Sequence, residues 1–495
     1  MKRPLYLNLT QDPTTFDPRK AADLPSSTVT FFLYEGLTRS TTNSIYAPAL
    51  AESIEESNGG KTYIFRLKKA YWSDQQPITA YDFERSWKEI LNPKFPCPNA
   101  HLFYPIQGAE EAKRGLIPVD AVGVKALDEQ TLRVDLAQPT PYFVELTAFC
   151  TFFPYKEGTD GTPLFSGSYC LKEFRPKNYL DLEKNRLYWN QSQIKLDAMR
   201  FFLIEEGMTA LEMFERGEID IIGSSFTALP TESIPILKKQ YDIQSVETAG
   251  TAFLTFNTLS KFFKNEKMRQ AFIYSIDRDE IIEHLTFMDE KVADRLLPPM
   301  LMTEKKEIPN WSINREKAVI LFNEALSELG MKKEEVKIHF TLSSSSNSSN
   351  FQKIAQVIQE QIRINLGIHV QIDLLEMKVY LEQLYKHNYD MAGCLILAQY
   401  LDPLAYLDRF KTKTHLRNYP CFENEEYTRL IEASFFASSK EERQEIIEKA
   451  EQILMDSGTL FPIYHFRNSF AVSKRVKNLK TFPQGTLCLE EVELS

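Results

Sequence analysis

No stretch of this 495-residue chain approaches the ~18–20 consecutive apolar residues that a membrane-spanning helix needs. The opening MKRPLYLNLTQDP has basic residues but no apolar segment behind them, so it does not read as a signal peptide as it stands. Either the protein stays in the cytoplasm, or a leader has been trimmed and a Met supplied. The six cysteines, Cys97, Cys150, Cys170, Cys394, Cys421 and Cys488, never form C-x-x-C. Zinc ribbons and thioredoxin-like chemistry therefore lack support. One disulfide is open, but spacing does not pair it. The seven histidines lack the H-E-x-x-H spacing of a metalloprotease, and neither G-x-G-x-x-G nor G-x-S-x-G occurs. Asn58-Gly59-Gly60-Lys61-Thr62 ends like a phosphate loop, yet Glu55 stands where its first glycine belongs, so the stretch reads as a turn and strand start. An excess of positive charge is missing too. Lys and Arg number 58 against 68 Asp and Glu, and the net −10 disfavours a general nucleic-acid binder. With no catalytic, metal or cofactor motif, the weight falls on binding rather than turnover.

What is present is an ordinary globular composition, 43% apolar and 25% charged, on a chain long enough for two or three packed lobes. Residues 61–67, KTYIFRL, and 131–136, TLRVDL, alternate like strands. Residues 79–91 read as a helix with Thr79 at its N-cap, Asp82 in the first turn, and Phe83, Trp87 and Leu91 on one face. The clearest unit is 337–375. KIHFTL is a strand, Ser343 to Asn350 a polar loop, and FQKIAQVIQEQIRINLG a helix striped by Phe351, Ile354, Val357, Ile358 and Ile362 and closed by Gly367. IHVQIDLLE is the next strand, which makes a parallel βαβ unit. Two further helices are predicted. One covers 315–329, with Ala318, Leu321, Phe322, Ala325 and Leu329 inward and Gly330 at its end. The other covers 440–457, with Ile446, Ile447, Ala450, Ile453 and Leu454 inward and Gly458 at its end.

Several stretches resemble the periplasmic oligopeptide-binding proteins, the peptide- and nickel-binding class (family 5) of solute receptors serving ABC importers. They are YWSDQQPITAYDFERSW (71–87), VGVKALDEQTLRVDLAQPTPYF (122–143), SGSYCLKEF (166–174), LEKNRLYWN (182–190), ERGEIDI (215–221), FNT (256–258), MRQAFIYSIDRDEII (268–282) and YDMAGCLILAQYLDPLAYL (389–407). Trp72, Asp74, Asp82, Tyr188 and Trp189 in these motifs read as framework. The resemblance implies an α/β, two-lobed periplasmic-binding-protein fold of the large class, with a hinge of two crossing strands near 245–255 and 460–470. The implied division is 1–34, 159–247 and 465–495 in lobe I, 35–158 as an extra domain beside it, and 248–464 as lobe II. It also implies a ligand buried between the lobes, a periplasmic site with or without a lipid anchor, ABC permease subunits as partners, a monomer, and no cofactor, nucleic acid or catalysis.

The resemblance further marks ligand-lining positions, and here the chain departs from the family. Typical members place an aspartate at Gln399 that clamps the peptide's α-ammonium. A hydrogen bond to a charged group contributes roughly 1.5–3 kcal/mol against about 1 for a neutral one, so a free-amine ligand loses about tenfold or more in affinity. Asp402 lies just past the turn, and Asp23, beside Leu24 in ADLPSS, is a candidate stand-in. A usual tryptophan is Ile396, another aromatic is Met377, and basic groups are replaced by Leu384 and Gly393. An aromatic clamp is replaced by Asn99, with His101 nearby. Leu397, Tyr400 and Phe253 complete the expected lining. These departures point to a peptide-like ligand with atypical ends, such as a murein peptide or a blocked or short apolar peptide. The alternative is a non-peptide ligand, such as a metal chelate or haem, on the same fold.

Overall fold

The computed structural model describes residues 3–224, 227, 229, 230, 233–302, 311–344 and 349–495. The chain forms two compact units, Met1–Gln244 with Asn468–Ser495, and Ser245–Arg467. It passes from one unit to the other twice, between Gln244 and Ser245 and between Arg467 and Asn468.

The first unit holds two four-stranded sheets. One is built from β1 (Leu5–Leu9), while β2 (Ala51–Ser57), β3 (Thr62–Leu67), β4 (Val124–Asp128) and β5 (Thr131–Asp135) make the other. Its order is β2-β3-β5-β4, antiparallel throughout. The sheet of β1 is completed by β6 (Tyr169–Arg175), β7 (Tyr179–Lys184) and β8 (Ala198–Leu203), in the order β1-β8-β7-β6. Helix α1 (Leu24–Leu33) starts at Asp23, and α2 (Ala80–Ile90) starts at Thr79. The Asp82 carboxylate accepts from the Thr79 backbone at 2.9 Å and its hydroxyl at 3.1 Å, which fixes the entry of α2. Phe83 and Trp87 follow on the buried face. Asp74 closes the preceding turn by accepting from the Gln76 backbone at 3.0 Å, and Trp72 is fully buried. Tyr188 and Trp189 both donate to the buried Glu35. The framework reading of these motif residues is what the structure has.

The second unit is one mixed sheet with helices. Its elements include β9 (Gln244–Phe256), α3 (Arg315–Leu329), β10 (Ile338–Ser343), α4 (Ser349–Leu366), β11 (Val370–Leu375), α5 (Met377–Tyr385), β12 (Met391–Leu397), α6 (Lys440–Asp456) and β13 (Leu460–Val472), of which β9 starts at the last residue of the first unit's segment and β13 runs on into the first unit. The strand order is β13-β9-β12-β10-β11. β9 and β12 are antiparallel, whereas β10 runs parallel to both β11 and β12. The predicted βαβ unit is therefore β10-α4-β11. Helices α3 and α4 are followed by Gly330 and Gly367, and α6 by Gly458. All three glycines have φ near +60°, a conformation that costs an L side chain energy. Ser349 already opens α4, which shortens the expected polar loop, and 345–348 lie outside the described residues.

Three helix stripes differ from the expectation. In α4 Ala355 and Gln361 are buried and Val357 is only half-buried. In α3 Leu326 is buried while Leu321 and Leu329 are half-buried. In α6 Glu448 and Glu451 are buried and Ile446 and Ile453 only half-buried. Glu451 can sit inside because Leu297 N–H donates to it at 2.8 Å and Arg295 lies 3.5 Å away. All six cysteines are free thiols.

Candidate functional site

Strand β12 carries the candidate site of the second unit. Its side chains alternate. Ala392, Cys394 and Ile396 are buried, while Leu395 and Leu397 are 44% and 66% exposed. In register with β9, Leu397 faces Gly250, Leu395 faces Ala252 and Cys394 faces Phe253. The Ala398 N–H donates to Ala249 O at 2.8 Å. In an antiparallel pair alternate residues exchange hydrogen bonds, so Ala392, Cys394, Ile396 and Ala398 turn their backbone groups toward β9. Gly393, Leu395 and Leu397 turn theirs to the opposite edge.

That opposite edge is covered only at its start. β10 pairs with Met391 and Ala392 and then diverges. The Gly393 carbonyl accepts from the Tyr380 hydroxyl at 2.6 Å. Beyond it, no described strand is paired with Leu395 or Leu397 on this side. Exposed strand edges of this kind are sites where another extended chain can add.

Beside the edge lies a cavity of about 160 Å³, walled by Leu342, Met377, Tyr380, Leu384, Gly393 and Leu395 among others. A side chain at Gly393 would displace its neighbours. A Cβ would stand 2.1 Å from the Phe351 ring and 2.6 Å from Leu342. The Phe351 ring thus occupies the space of a side chain at 393. Burial raises the Tyr380 phenol well above its ordinary pKa and pushes the Cys394 thiol up to about 12, so both stay neutral. No side chain lining the cavity is charged.

The residues marked from sequence divide as follows. Gln399 and Tyr400 lie half-buried just beyond the end of β12. Leu397 is exposed on the open face, and Met377, 40% exposed, opens α5 and lines the cavity. Ile396 and Phe253 are 4% and 1% exposed on the opposite, core face of the sheet, because strand alternation turns them away from Leu395 and Leu397. In the first unit, the Asn99 amide donates to Ala21 O at 3.1 Å, which brings it to the segment that leads into Asp23. Asp23 caps α1, accepting from the Ser26 N–H at 2.8 Å and from the Ser26 and Thr14 hydroxyls. Leu24 is 56% exposed, and His101 is exposed on the short turn Ala100–Phe103. Asp402, weighed as a substitute clamp, is instead buried. It holds Arg443 in a bidentate ion pair at 2.7 and 2.9 Å and caps Leu404 N–H at 2.9 Å.

Tyr380, Leu342 and Leu395 were not singled out from sequence. Every residue of MAGCLIL is apolar, so alternation in the sequence does not set Leu395 apart, and its exposure follows from how β12 is paired. Among the described residues, no cluster of three His, Cys, Asp or Glu could hold a metal ion, and no helix is long and apolar enough to cross a membrane.

A mixed α/β fold in two units, with an unpaired strand edge beside a neutral cavity, has the features of a solute-binding protein. Residues 46–418 match the bacterial extracellular solute-binding proteins, family 5 Middle. The chain belongs to that family. It is 32% identical to the oligopeptide-binding protein OppA of Bacillus subtilis, over 97% of this chain and 90% of that protein. It is 30% identical to the dipeptide-binding protein DppE of the same organism, over 98% and 91%. Among solved structures it is similar to the Escherichia coli murein tripeptide binding protein MppA, with 26% identity, a TM-score of 0.84, and coverage of 100% of this chain and 99% of that one.

Proposed function

We propose that this protein is an extracytoplasmic receptor that captures oligopeptides or peptide-like ligands, murein peptides among them, and delivers them to the permease of an ABC importer. The observation that carries the reading is the unpaired edge of β12 at Leu395 and Leu397. A peptide backbone adding there gains main-chain hydrogen bonds whatever its side chains, which suits a receptor for peptides. The names of the relatives support the same reading. OppA and DppE of Bacillus subtilis are an oligopeptide- and a dipeptide-binding protein, and MppA binds murein tripeptide. The binding residues proposed are Leu397, Gln399, Tyr400 and Met377 in the second unit and Asp23, Leu24, Asn99 and His101 in the first. Ile396 and Phe253 support β12 from its core side.

At the end of the strand an amide replaces a carboxylate. Gln399 both donates and accepts, so it meets a neutral or carboxylate end as readily as an ammonium. The test is calorimetric titration of tri- to pentapeptides with free and acetylated N-termini. The wild type should bind the two sets within about threefold of each other. Gln399→Asp should favour the free amine by about tenfold, the difference between a charge-assisted and a neutral hydrogen bond. A wild type that binds none of these peptides overturns the proposal.

A further inference from the structure

Resting on the reading that a peptide docks along β12, we infer that the segment from Arg409 to Tyr419 is an anion subsite, where Arg409 and Arg417 hold a carboxylate of the ligand. Three observations carry this. The first is positive charge without a counter-ion. The other cations of the region are paired, Lys411 with Glu432, Lys413 with Glu423 and Arg443 with Asp402. Among the described residues, no acid lies within ion-pair distance of Arg409 or Arg417, and the neighbouring Asp408 forms no such pair. The Arg409 Nη2 donates to Ala405 O at 2.7 Å, but its buried Nε has no partner among the described residues. A buried donor left unpaired is costly, and native structures keep few of them. Burial, and then the like charge of Arg417, lower the Arg409 guanidinium from its ordinary pKa. Arginine stays charged in proteins all the same. A bound carboxylate would offset both costs, and the planar guanidinium fits it with two parallel bonds.

The second observation is a set of donors held in place. The Arg417 backbone N–H donates to His415 Nδ1 at 3.1 Å, which puts the imidazole proton on Nε2 as a further donor. Partial desolvation, then the charges of Arg409 and Arg417, lower the His415 pKa, so the ring is neutral at pH 7. The buried Asn418 fixes the loop. Its amide donates to Thr412 O and Phe422 O, both at 2.9 Å, and its carbonyl accepts from Phe422 N–H at 2.9 Å. Donors fixed before the ligand arrives need little ordering on binding. The third observation is position. Arg409 is near enough to Tyr400 and Tyr419 for their electrostatic interaction to register. Tyr400 follows Gln399 at the end of β12, and Tyr419 walls the cavity beside that strand. Gln399 is neutral, so no negative side chain stands at that position to repel a ligand carboxylate.

The experiment is calorimetric titration of tetrapeptides into the full-length protein, with Glu or Gln at each position in turn and the C-terminus free or amidated. One of these carboxylates should raise affinity about 10–100-fold, the range of one or two charge-assisted hydrogen bonds. If amidation removes the gain, the group held is the C-terminal carboxylate. If Gln in place of Glu at one position removes it, the group is a side chain. Arg409→Gln should reduce the preference to within about threefold, and Arg417→Gln should reduce it in part. Removing a cation that has no counter-ion should leave the melting temperature of either variant unchanged or higher. A lower melting temperature with the preference intact would make these arginines structural and overturn the inference. Peptides that bind with no preference for any carboxylate, or with a preference that survives both substitutions, would also overturn it and leave the peptide receptor standing. A panel in which nothing binds would overturn both.

Discussion

Asp402 provides a sharp test of which acids serve the fold and which could serve a ligand. Its side chain is 9% exposed and that of Arg443 is 15%, so the pair belongs to the buried class in which screening by water is weak. Both terminal guanidinium nitrogens reach it, at 2.7 and 2.9 Å, and the same carboxylate accepts from Leu404 N–H. Asp402→Ala strands a buried cation and removes a turn cap. Breaking such a pair from one side costs about 3–5 kcal/mol. In a unit of this size each kcal/mol lowers the melting temperature by about 2–4 °C, so the variant should melt roughly 6–20 °C lower by calorimetry. Replacing both partners, Asp402→Ala with Arg443→Met, should recover more than half of that loss, because no uncompensated charge is left. Peptide affinity at 20 °C should change less than about twofold. An unaltered melting temperature together with a tenfold loss of affinity for free-amine peptides would refute the reasoning, and would make Asp402 the ligand's acid.

Two titrating groups, Glu451 buried and His465 half-buried, give opposite pH responses. Burial pushes the Glu451 carboxyl up from 4.5 to about 7, against the pull of Arg295. Its favourable contribution is complete below pH 4.5 and is lost as pH rises through 7. At about 1.4 kcal/mol per pH unit, that span is worth roughly 3 kcal/mol. Urea unfolding of wild type and Glu451→Gln should therefore diverge in the variant's favour between pH 4.5 and 7, and a difference flat with pH would show Glu451 ionised in the fold. His465 runs the other way. Burial, with Arg295 and Arg278 nearby, lowers it from 6.5 to about 4. Its contribution is complete above pH 6.5 and is lost as pH falls through 4. His465→Gln should flatten the acid limb of the same curve, and an unchanged limb would count against an imidazole held neutral in the fold. Gly393→Val forces a side chain into the Phe351 ring. It should cost about 1–3 kcal/mol by overpacking and be partly rescued by Phe351→Ala in urea titrations. An additive double variant would show that the ring can move aside unaided.

Local signals were legible in the sequence. The βαβ unit followed from period-2 and period-3.6 patterns with a glycine stop, and Gly330, Gly367 and Gly458 do take the left-handed conformation that a helix exit favours. The entry of α2 at Thr79 followed from a cap and an acid in the first turn. What could not be read depends on partners remote in the chain. Glu451 is on the buried face of α6 because Arg295 and Leu297 come to it from more than 150 residues away. Asp402 is committed to Arg443, which no spacing rule links to it. The cavity has walls from β10, α4, α5 and β12, so its neutrality appears only when these are packed. Ile396 and Phe253 were expected at the ligand on family position alone, yet strand alternation puts them on the core face. Leu397 and Met377 lie on exposed surface, where the proposal keeps them.

The most direct measurement is a native mass spectrum of the purified full-length protein, with mild activation to release what it carries and fragmentation of each released species. The released masses should fragment as peptides, whether a ladder of ordinary sequences or one defined mass containing a γ-linked or blocked peptide. A released metal chelate, haem or other non-peptide species, in a protein that then takes up no added peptide, would contradict the peptide reading.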